Sequence, residues 1–248
     1  MVMNKGHAFV LALLITLLLA INLFLIKNFN HERRENVIIS RVIDGDTLEL
    51  NDGRKIRLLN INSPEKSDPG FDLSYNLLKQ FENKTIEIEP ISEDLYSRTL
   101  VRMYSPEYVN LELVKKGFAS KFLVSGSELK DFAKAESFAI SNSLGIWKKS
   151  NFYGCFTAEV DEHNEIISII NSCDSVNVNN WFLKDESTKQ YEFDDINLGL
   201  VFLHSGIGED NSTDLFWNSK SNILNNDRDS IYLFDNNGRL VYYTTYGY

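Results

Sequence analysis

The groups that could do chemistry in the central part of the chain are carboxylates, arginines and tyrosines. Residues 37–148 contain neither His nor Cys. This excludes nucleophilic sites of the Ser/His/Asp and Cys/His types there, and also a zinc site. The remaining candidates are closely spaced in two groups: Asp46, Arg57, Asn62, Ser63 and Glu65 in the first, Tyr96 and Arg98 in the second.

These residue types together suit the hydrolysis of a phosphodiester. Oxygen donors such as Asp46, Asn62 and a backbone carbonyl suit a hard cation, Ca²⁺ or Mg²⁺. Two arginines can bind one phosphate through paired hydrogen bonds and offset the charge that develops in phosphoryl transfer. A carboxylate such as that of Glu65 can accept a proton from an attacking water. Each feature alone is commonplace, since Asp-Gly-Asp is more often a turn and a loop Glu is usually solvated.

The elements that must position these groups are strands with a few helices. Runs that are rich in β-branched residues or alternate in polarity occur at 37–43, 47–50, 55–61, 84–89 and 99–104. Asn51-Asp-Gly53 predicts a hairpin turn between the second and third runs. Apolar residues at helical spacing predict helices within 73–81, 109–114 and 127–140. Strands with one inserted helix and two final ones indicate an α+β fold, not the alternating βαβ order of a parallel sheet.

The last hundred residues have a different character. The 248-residue chain has a formal net charge of −10, which argues against a generic basic nucleic-acid coat. Most of the acidity lies in residues 151–248, where 5 Lys or Arg face 16 Asp or Glu. Short strand-like runs alternate there with turns rich in Asn, Asp and Gly, which predicts an all-β sandwich. Cys155 and Cys173 could form a disulfide that closes a loop worth about 3 kcal/mol, or could be two buried free thiols.

The N-terminal segment predicts a membrane anchor. Residues 8–26 are 19 uncharged and mostly apolar positions, close to the roughly 20 that span a bilayer. A cleavable signal peptide is the weaker alternative, because its apolar region is usually shorter and ends in small residues. The predicted organisation is an anchor with a polar tether at 1–36, an α+β domain at 37–150 and an all-β domain at 151–248.

The central blocks, taken in order, resemble the thermonuclease (staphylococcal nuclease-like) family. The blocks that carry the resemblance are Val42-Ile-Asp-Gly-Asp-Thr-Leu48, Ile56-Arg-Leu-Leu-Asn-Ile-Asn-Ser-Pro-Glu65, Tyr96-Ser-Arg98-Thr-Leu, Val109-Asn-x-Glu-Leu-Val-x-x-Gly117 and Gly145-Ile-Trp147. They cover about residues 37–148. The resemblance implies an OB-type five-stranded barrel with helices, a fold that suits oligonucleotide binding. It also implies Ca²⁺-dependent cleavage of DNA and RNA that leaves 3′-phosphate ends.

The resemblance gives each candidate residue a role. Arg57 and Arg98 match the two phosphate-binding arginines and Glu65 the general base. Asp46, Asn62 and the carbonyl of Ser63 match the Ca²⁺ ligands, and Tyr96 matches a tyrosine near the bound phosphate. Asn62 departs from the family pattern, in which Asp is usual, and so removes one formal charge from the metal site.

Residues from about 155 to 248 resemble the lamin-tail domain, an immunoglobulin-like β-sandwich. The features that carry this second resemblance include Asn180-Trp-Phe-Leu-x-Asp185, His204-Ser-Gly206 and Leu233-Phe-Asp-x-x-Gly-x-Leu240. Trp181 and Trp217 are expected in its core, because large aromatic residues dominate sandwich cores. Nothing in these residues identifies a ligand, and a protein or polysaccharide partner is expected only by elimination.

The predicted protein is a membrane-anchored nuclease whose catalytic domain lies outside the cytoplasm and cleaves DNA and RNA, single strands above all. Two alternatives remain at this stage. The same barrel could bind single strands without cleaving them efficiently, because of Asn62. The chain could instead be a surface interaction protein that works through its C-terminal domain.

Overall fold

The computed structural model describes residues 6, 9, 11, 13–22, 34–66, 68–124, 126–187 and 189–248. Its first part is a closed barrel with three helices. The strands of this part are β1 (Glu35–Val42), β2 (Thr47–Leu50), β3 (Lys55–Leu58), β4 (Ile61–Asn62), β5 (Thr85–Glu93), β6 (Thr99–Ser105), β7 (Glu107–Tyr108) and β8 (Ser120–Lys121). The helices are α1 (Phe71–Lys79), α2 (Val109–Lys115) and α3 (Leu129–Ser141).

Five strands close the barrel, as predicted. The order is β3-β2-β1-β5-β6, and β3 returns to pair in parallel with β6. The alternating polarity of each strand turns one set of apolar side chains inward, and Ile39, Leu48, Ile56, Ile88 and Val101 are fully buried or nearly so. Strands β4 and β8 pair with each other outside this ladder, with Asn62 opposite Ser120.

The local sequence explains the connections. The β2–β3 hairpin turns at Asn51-Asp-Gly53, where Gly53 has a positive φ of 86° that favours glycine. Helix α2 ends before Gly117, whose φ is 68° and which lies against the backbone of Leu144. Both turns follow from glycine positions that the sequence already marked.

Among the described residues after 150 the regular elements are all strands, and this confirms the prediction of β structure there. Its strands are β9 (Phe156–Asp161), β10 (Ile166–Asn171), β11 (Val176–Asn177), β12 (Phe182–Lys184), β13 (Gln190–Glu192), β14 (Asn197–Leu198), β15 (Leu200–His204), β16 (Asp214–Phe216), β17 (Asp229–Phe234) and β18 (Leu240–Tyr246). We call these strands and their connections the C-terminal sheets.

Two four-stranded sheets share one core in this part. Their orders are β16-β15-β10-β9 and β13-β12-β17-β18, and a smaller sheet pairs β11 with β14. The common core contains Ile167 and Ile169 from one sheet, Leu183 and Leu233 from the other, and Trp181 beside them. A disulfide joins Cys155 and Cys173, whose Cα atoms are 5.2 Å apart.

The barrel and the C-terminal sheets meet at a buried junction. Ile140 at the end of α3 and Trp147 in a following 3-10 turn form a core cluster with Tyr232, Phe234 and Leu240. The rings of Trp147 and Tyr232 stack with 5.1 Å between their centroids. The junction therefore contains apolar and aromatic packing as well as the polar contacts described below.

The prediction of a membrane anchor, and of a membrane-anchored location with it, is wrong. Among the residues that the structure describes, no helix is long and apolar enough to cross a bilayer. The longest continuous helical stretch described near the N-terminus is residues 13–22. The remaining positions of the predicted anchor, namely 8, 10, 12 and 23–26, lie outside the described residues.

Candidate active site

The turn between β1 and β2 places Asp46 in the site. The carboxylate of Asp44 accepts hydrogen bonds from the backbone amides of Asp46 at 3.0 Å and Thr47 at 2.7 Å, which fixes the turn. Only glycine fits between them, because a Cβ on Gly45 would lie 2.1 Å from the hydroxyl oxygen of Ser74 on α1. Helix α1 thus supports the turn from behind, and Asp46 becomes 6% exposed.

Asp46 connects three elements of the site. Its Oδ2 accepts hydrogen bonds from the backbone amide of Ser63 at 3.1 Å and from the Ser63 hydroxyl at 3.2 Å. The same oxygen lies 3.3 Å from Nη2 of Arg57. Its Oδ1 accepts a hydrogen bond from the hydroxyl of Thr47 at 3.0 Å. The carboxylate of Asp46 therefore connects the β1–β2 turn to strand β3 and to the loop after β4.

Arg57 is fixed by backbone oxygens and by an amide. Its Nη1 donates to the carbonyls of Leu58 at 3.1 Å and Ile61 at 3.0 Å, and its Nη2 donates to Oδ1 of Asn62 at 3.2 Å. The side chain is 12% exposed. An arginine this fully hydrogen-bonded loses little conformational entropy when it binds an anion, which favours precise phosphate recognition.

Arg98 approaches the same carboxylate from the other side. Its Nε donates to Oδ2 of Asp94 at 2.7 Å, and its Nη1 lies 3.5 Å from the Thr47 hydroxyl that donates to Asp46. Burial acts to raise the pKa of Asp94, yet that pKa lies below its ordinary value because the amide and guanidinium of Arg98 bind the charged carboxylate. The two arginines therefore converge on the Asp46–Thr47 corner.

Tyr96 stands at the exposed tip of the β5–β6 hairpin. It is 80% exposed, and its ring centroid lies 5.4 Å from the guanidinium carbon of Arg98. Its neighbour Leu95 is 99% exposed. The aromatic face beside an arginine is therefore available to a base that follows a bound phosphate.

Glu65 lies in the loop after β4, and acidic groups surround it. Its backbone amide donates to Oδ2 of Asp68 at 3.3 Å. Partial burial raises the pKa of Glu65, the negative charges of Asp44, Asp46 and Asp68 raise it further, and Arg57 opposes them. A carboxylate with a raised pKa is a stronger base towards water than an ordinary surface glutamate.

The oxygen atoms at this site are of the chemical type that a hard cation prefers. Carboxylate and carbonyl oxygens are available from Asp46 and Ser63, and Ca²⁺ prefers such ligands. Burial raises the pKa of Asp44 and the charge of Asp46 raises it further, and a bound cation would relieve this repulsion. Within the described residues, however, no three His, Cys, Asp or Glu side chains group around one point. The amide oxygen of Asn62 faces Arg57.

The barrel is similar in sequence to known nucleases. Residues 55–149 match the family described as Staphylococcal nuclease homologue. A thermonuclease of Staphylococcus intermedius is 30% identical over 138 residues, which cover 50% of this chain and 82% of that protein. The chain belongs to the staphylococcal nuclease family.

Two further relatives match over smaller shares of their own length. An uncharacterized endonuclease of Escherichia coli O157:H7 is 37% identical over 87 residues, or 33% of this chain and 57% of that protein. Endonuclease YhcR of Bacillus subtilis is 28% identical over 139 residues, or 46% of this chain and 11% of that protein. The match to the E. coli protein therefore spans little more than half of that relative. The predicted resemblance to thermonucleases is confirmed, and the lamin-tail resemblance is not shown.

The predicted site residues remain predictions, although most of them lie close together and acidic neighbours lie beside them. The structure brings Asp46, Arg57, Asn62 and Ser63 into one hydrogen-bonded group, with Arg98 reaching it through Thr47. It adds three acidic residues that no site prediction included: Asp44, Asp68 and Asp94. Their spacing of two or three residues from a predicted site residue was the available signal.

Two contacts of the site come from the C-terminal sheets. The side-chain nitrogen of Asn62 donates to the backbone carbonyl of Glu186 at 3.4 Å. Gln190 on β13 also donates to Asp68 at 3.2 Å. The two partners in each contact are more than 120 residues apart, so no local pattern could have indicated them.

Proposed function

We propose that the chain is a Ca²⁺-dependent nuclease that hydrolyses phosphodiester bonds of DNA and RNA, preferentially in single strands, and leaves 3′-phosphate ends. The main support is the convergence of Arg57 and Arg98 on the corner that carries Asp46, with Glu65 nearby. Membership in the staphylococcal nuclease family supports the same reaction.

In this mechanism Arg57 and Arg98 bind the non-bridging oxygens of the scissile phosphate from two sides. Glu65 accepts a proton from a water molecule, whose oxygen forms a new bond to phosphorus while the bond from phosphorus to the 5′ oxygen breaks. The 5′ oxygen leaves and takes up a proton from solvent. Asp46 and the Ser63 carbonyl would hold Ca²⁺, which would neutralise charge on the phosphate. Tyr96 would stack on the adjacent base.

The test is hydrolysis of single-stranded DNA by the full chain in Ca²⁺, in Mg²⁺ and in chelator. Glu65→Gln is expected to lower kcat by about 10²- to 10⁴-fold, the usual contribution of general base catalysis. Glu107→Gln is the matched control, because Glu107 is an exposed glutamate on β7 of the same barrel. Absence of Ca²⁺-dependent cleavage by the folded wild-type protein would reject the nuclease proposal and leave a barrel that binds single strands.

We also propose that the C-terminal sheets form an immunoglobulin-like sandwich of the lamin-tail type. The support is two four-stranded sheets that share one core, together with the sequence features at Trp181 and at residues 233–240. A fold comparison against an experimental structure of these residues would test the assignment.

A further inference from the structure

The junction between the barrel and the C-terminal sheets contains a buried lysine. Lys121 on β8 is 1% exposed. Its Nζ lies 2.9 Å from Oε2 of Glu136 on α3, 3.0 Å from Oε1 of Glu186 and 2.5 Å from the hydroxyl of Ser230. Buried charges are tolerated only when their partners are complete and well placed, so this group holds the two parts in one relative position.

Glu186 is fixed on the C-terminal side of the same group. Its carboxylate accepts hydrogen bonds from the hydroxyl of Ser230 at 2.8 Å and from the hydroxyl of Tyr248. Its backbone amide donates to Asp229 at 3.4 Å. Because side chain and amide are both held, the backbone carbonyl of Glu186 has a defined position as well.

That carbonyl is the acceptor for Asn62. The amide group of Asn62 is 4% exposed, donates to the Glu186 carbonyl through Nδ2 at 3.4 Å and accepts from Arg57 through Oδ1 at 3.2 Å. An amide can donate on one side and accept on the other, whereas an ionised carboxylate can only accept. The opposite orientation would set oxygen against oxygen at Glu186 and nitrogen against nitrogen at Arg57.

The strand pairing places the lysine and the amide on adjacent strands. In the β4–β8 pair, Lys121 lies opposite Ile61 and Ser120 lies opposite Asn62. The hydroxyl of Ser120 also donates to the backbone carbonyl of Asn62 at 3.2 Å. The ion group and Asn62 therefore join the same short strand pair to the C-terminal sheets.

We propose that Asn62 is a positioning residue that couples the docked C-terminal sheets to the phosphate-binding arginine Arg57. This deepens the proposed nuclease function and rests on it. The role differs from the metal-ligand role that the sequence predicts for the same residue. It explains an amide at this position, because a carboxylate would turn an oxygen towards the Glu186 carbonyl and lose that hydrogen bond.

The first test compares Asn62→Asp and Asn62→Ala in the full chain. Positioning predicts that both lower kcat by about 10- to 100-fold, the scale expected when a catalytic group is slightly misplaced. It also predicts that Asn62→Ala leaves the Ca²⁺ dissociation constant, measured by calorimetry without substrate, within about twofold of wild type. Tighter Ca²⁺ binding and undiminished kcat in Asn62→Asp would overturn the proposal in favour of a ligand role.

The second test is a double-mutant cycle between Asn62 and Glu186. If the contact transmits position, Glu186→Ala lowers kcat in the wild-type background but has little further effect when Asn62 is already Ala. Tyr248→Phe, which removes one hydroxyl donor to Glu186, is the milder second variant if Glu186→Ala does not fold. Fully multiplicative effects on kcat would overturn the proposal.

The control must loosen the junction elsewhere. Ser150→Ala removes a buried hydrogen bond of 2.7 Å to Asp235, and the described hydrogen bonds of these two residues go to groups outside β4 and β8. This variant is expected to lower thermal stability while keeping kcat within about twofold. A loss of kcat as large as that of Glu186→Ala would mean that any loosening suffices, and would overturn a specific role for Asn62.

A failure of the proposed function can be told apart from a failure of this inference. If wild type does not cleave, the nuclease proposal fails alone, and the cycle is repeated on binding of a labelled single-stranded oligonucleotide in chelator. Positioning then predicts that Asn62→Ala and Glu186→Ala each weaken binding and that their effects do not multiply. Unchanged binding in both variants would overturn it.

Discussion

Two groups of charged residues adjoin the β4–β8 strand pair, and they differ in burial and in hydrogen bonding. At the junction, the side chains of Lys121, Glu136 and Glu186 are 0–3% exposed. At the candidate active site, Glu65 is open to solvent. Partial burial of its carboxyl group and the charges of its acidic neighbours raise its pKa. The junction group uses its charges to bind other protein groups, whereas the active-site group has charges that substrate or cation can still neutralise.

The junction group has more acid than base, and hydroxyls compensate. Burial acts to lower the pKa of Lys121, but Glu136 and Glu186 hold it above its ordinary value. Tyr232 donates to Glu136 at 3.2 Å and Tyr243 at 3.4 Å. We call the junction group closed, because its charges are buried and bound by other protein groups, and this holds the junction rigid. We call the active-site group open, because its charges remain accessible to a substrate or a cation.

The largest effect is expected from Lys121→Met. Loss of the lysine leaves two buried glutamates without their cation, and breaking a buried pair in this way costs about 3–5 kcal/mol of unfolding free energy. Urea unfolding measures the loss. Lys115→Met is the control, since Lys115 is 55% exposed and its pair with Glu112 is worth less than about 1 kcal/mol. Equal losses of unfolding free energy in the two variants would show that the buried lysine contributes no more than an exposed one.

A pH dependence is expected from Asp229, which contacts the junction group through Glu186. Burial raises its pKa to about 7, and the charges of Asp185 and Glu186 add to this against hydrogen bonds from Asn225 and Ser230. The unfolded chain releases this proton near pH 4, so the folded state alone holds it between about pH 4 and pH 7.

Rising pH in that interval therefore costs stability, up to about 4 kcal/mol in total, and the loss is complete above about pH 7. Asp229→Asn is expected to remove this contribution. The measurement is the difference in unfolding free energy between wild type and variant from pH 4 to pH 8. Parallel pH profiles would show that Asp229 titrates normally and that the junction tolerates its charge.

A smaller effect is expected from Tyr96→Ala on the open side. Base stacking on an aromatic ring contributes about 1–3 kcal/mol, which corresponds to a rise in KM for single-stranded DNA of about 5- to 150-fold. The value of kcat is expected to stay within about threefold. Tyr153→Ala is the control, because Tyr153 is 42% exposed and lies outside the barrel. An unchanged KM would show that substrate does not use the hairpin tip.

The smallest effect is expected from Asp94→Asn. The substitution keeps an oxygen that can accept from the amides of Tyr96 and Arg98, but it removes the charge that pairs with the Arg98 guanidinium. Partly exposed pairs contribute up to about 1 kcal/mol, so KM should rise no more than about fivefold. A loss of kcat beyond tenfold would show that the Asp94–Arg98 pair holds Arg98 as tightly as a buried ion pair would, and would contradict this prediction.

The barrel was predictable because its strands and turns are determined by residues that are close together in the sequence. The hairpin at residues 51–53 and the alternating strands each depend on neighbouring residues, and Asp46, Arg57 and Ser63 follow those strands closely. Several boundaries moved, and the predicted run at 55–61 is divided into β3 and β4. One of these changes has a clear physical reason. The run predicted at 84–89 extends to Glu93 because a register shift between Pro90 and Ser92 accommodates the proline within the strand.

The junction was not predictable, because its contacts join distant residues. Lys121 and Glu186 are 65 positions apart, and each reads as an ordinary charge within its own segment. The same limit applies to Asn62, which sequence comparison marks as a departure from an acidic residue and which the structure places against Glu186. The apolar N-terminal run shows the opposite error, since composition alone indicated a membrane span and no helix among the described residues is long and apolar enough to cross a bilayer.

The aromatic stack at the junction provides an optical reporter. The chain has 3 tryptophans, of which Trp147 alone lies in the barrel part, where it is 1% exposed. Trp181 and Trp217 belong to the C-terminal sheets. Replacing those two with Phe would leave one fluorophore whose emission shifts to longer wavelength when water reaches the junction. Undocking could then be followed in real time without emission from the core of the C-terminal sheets.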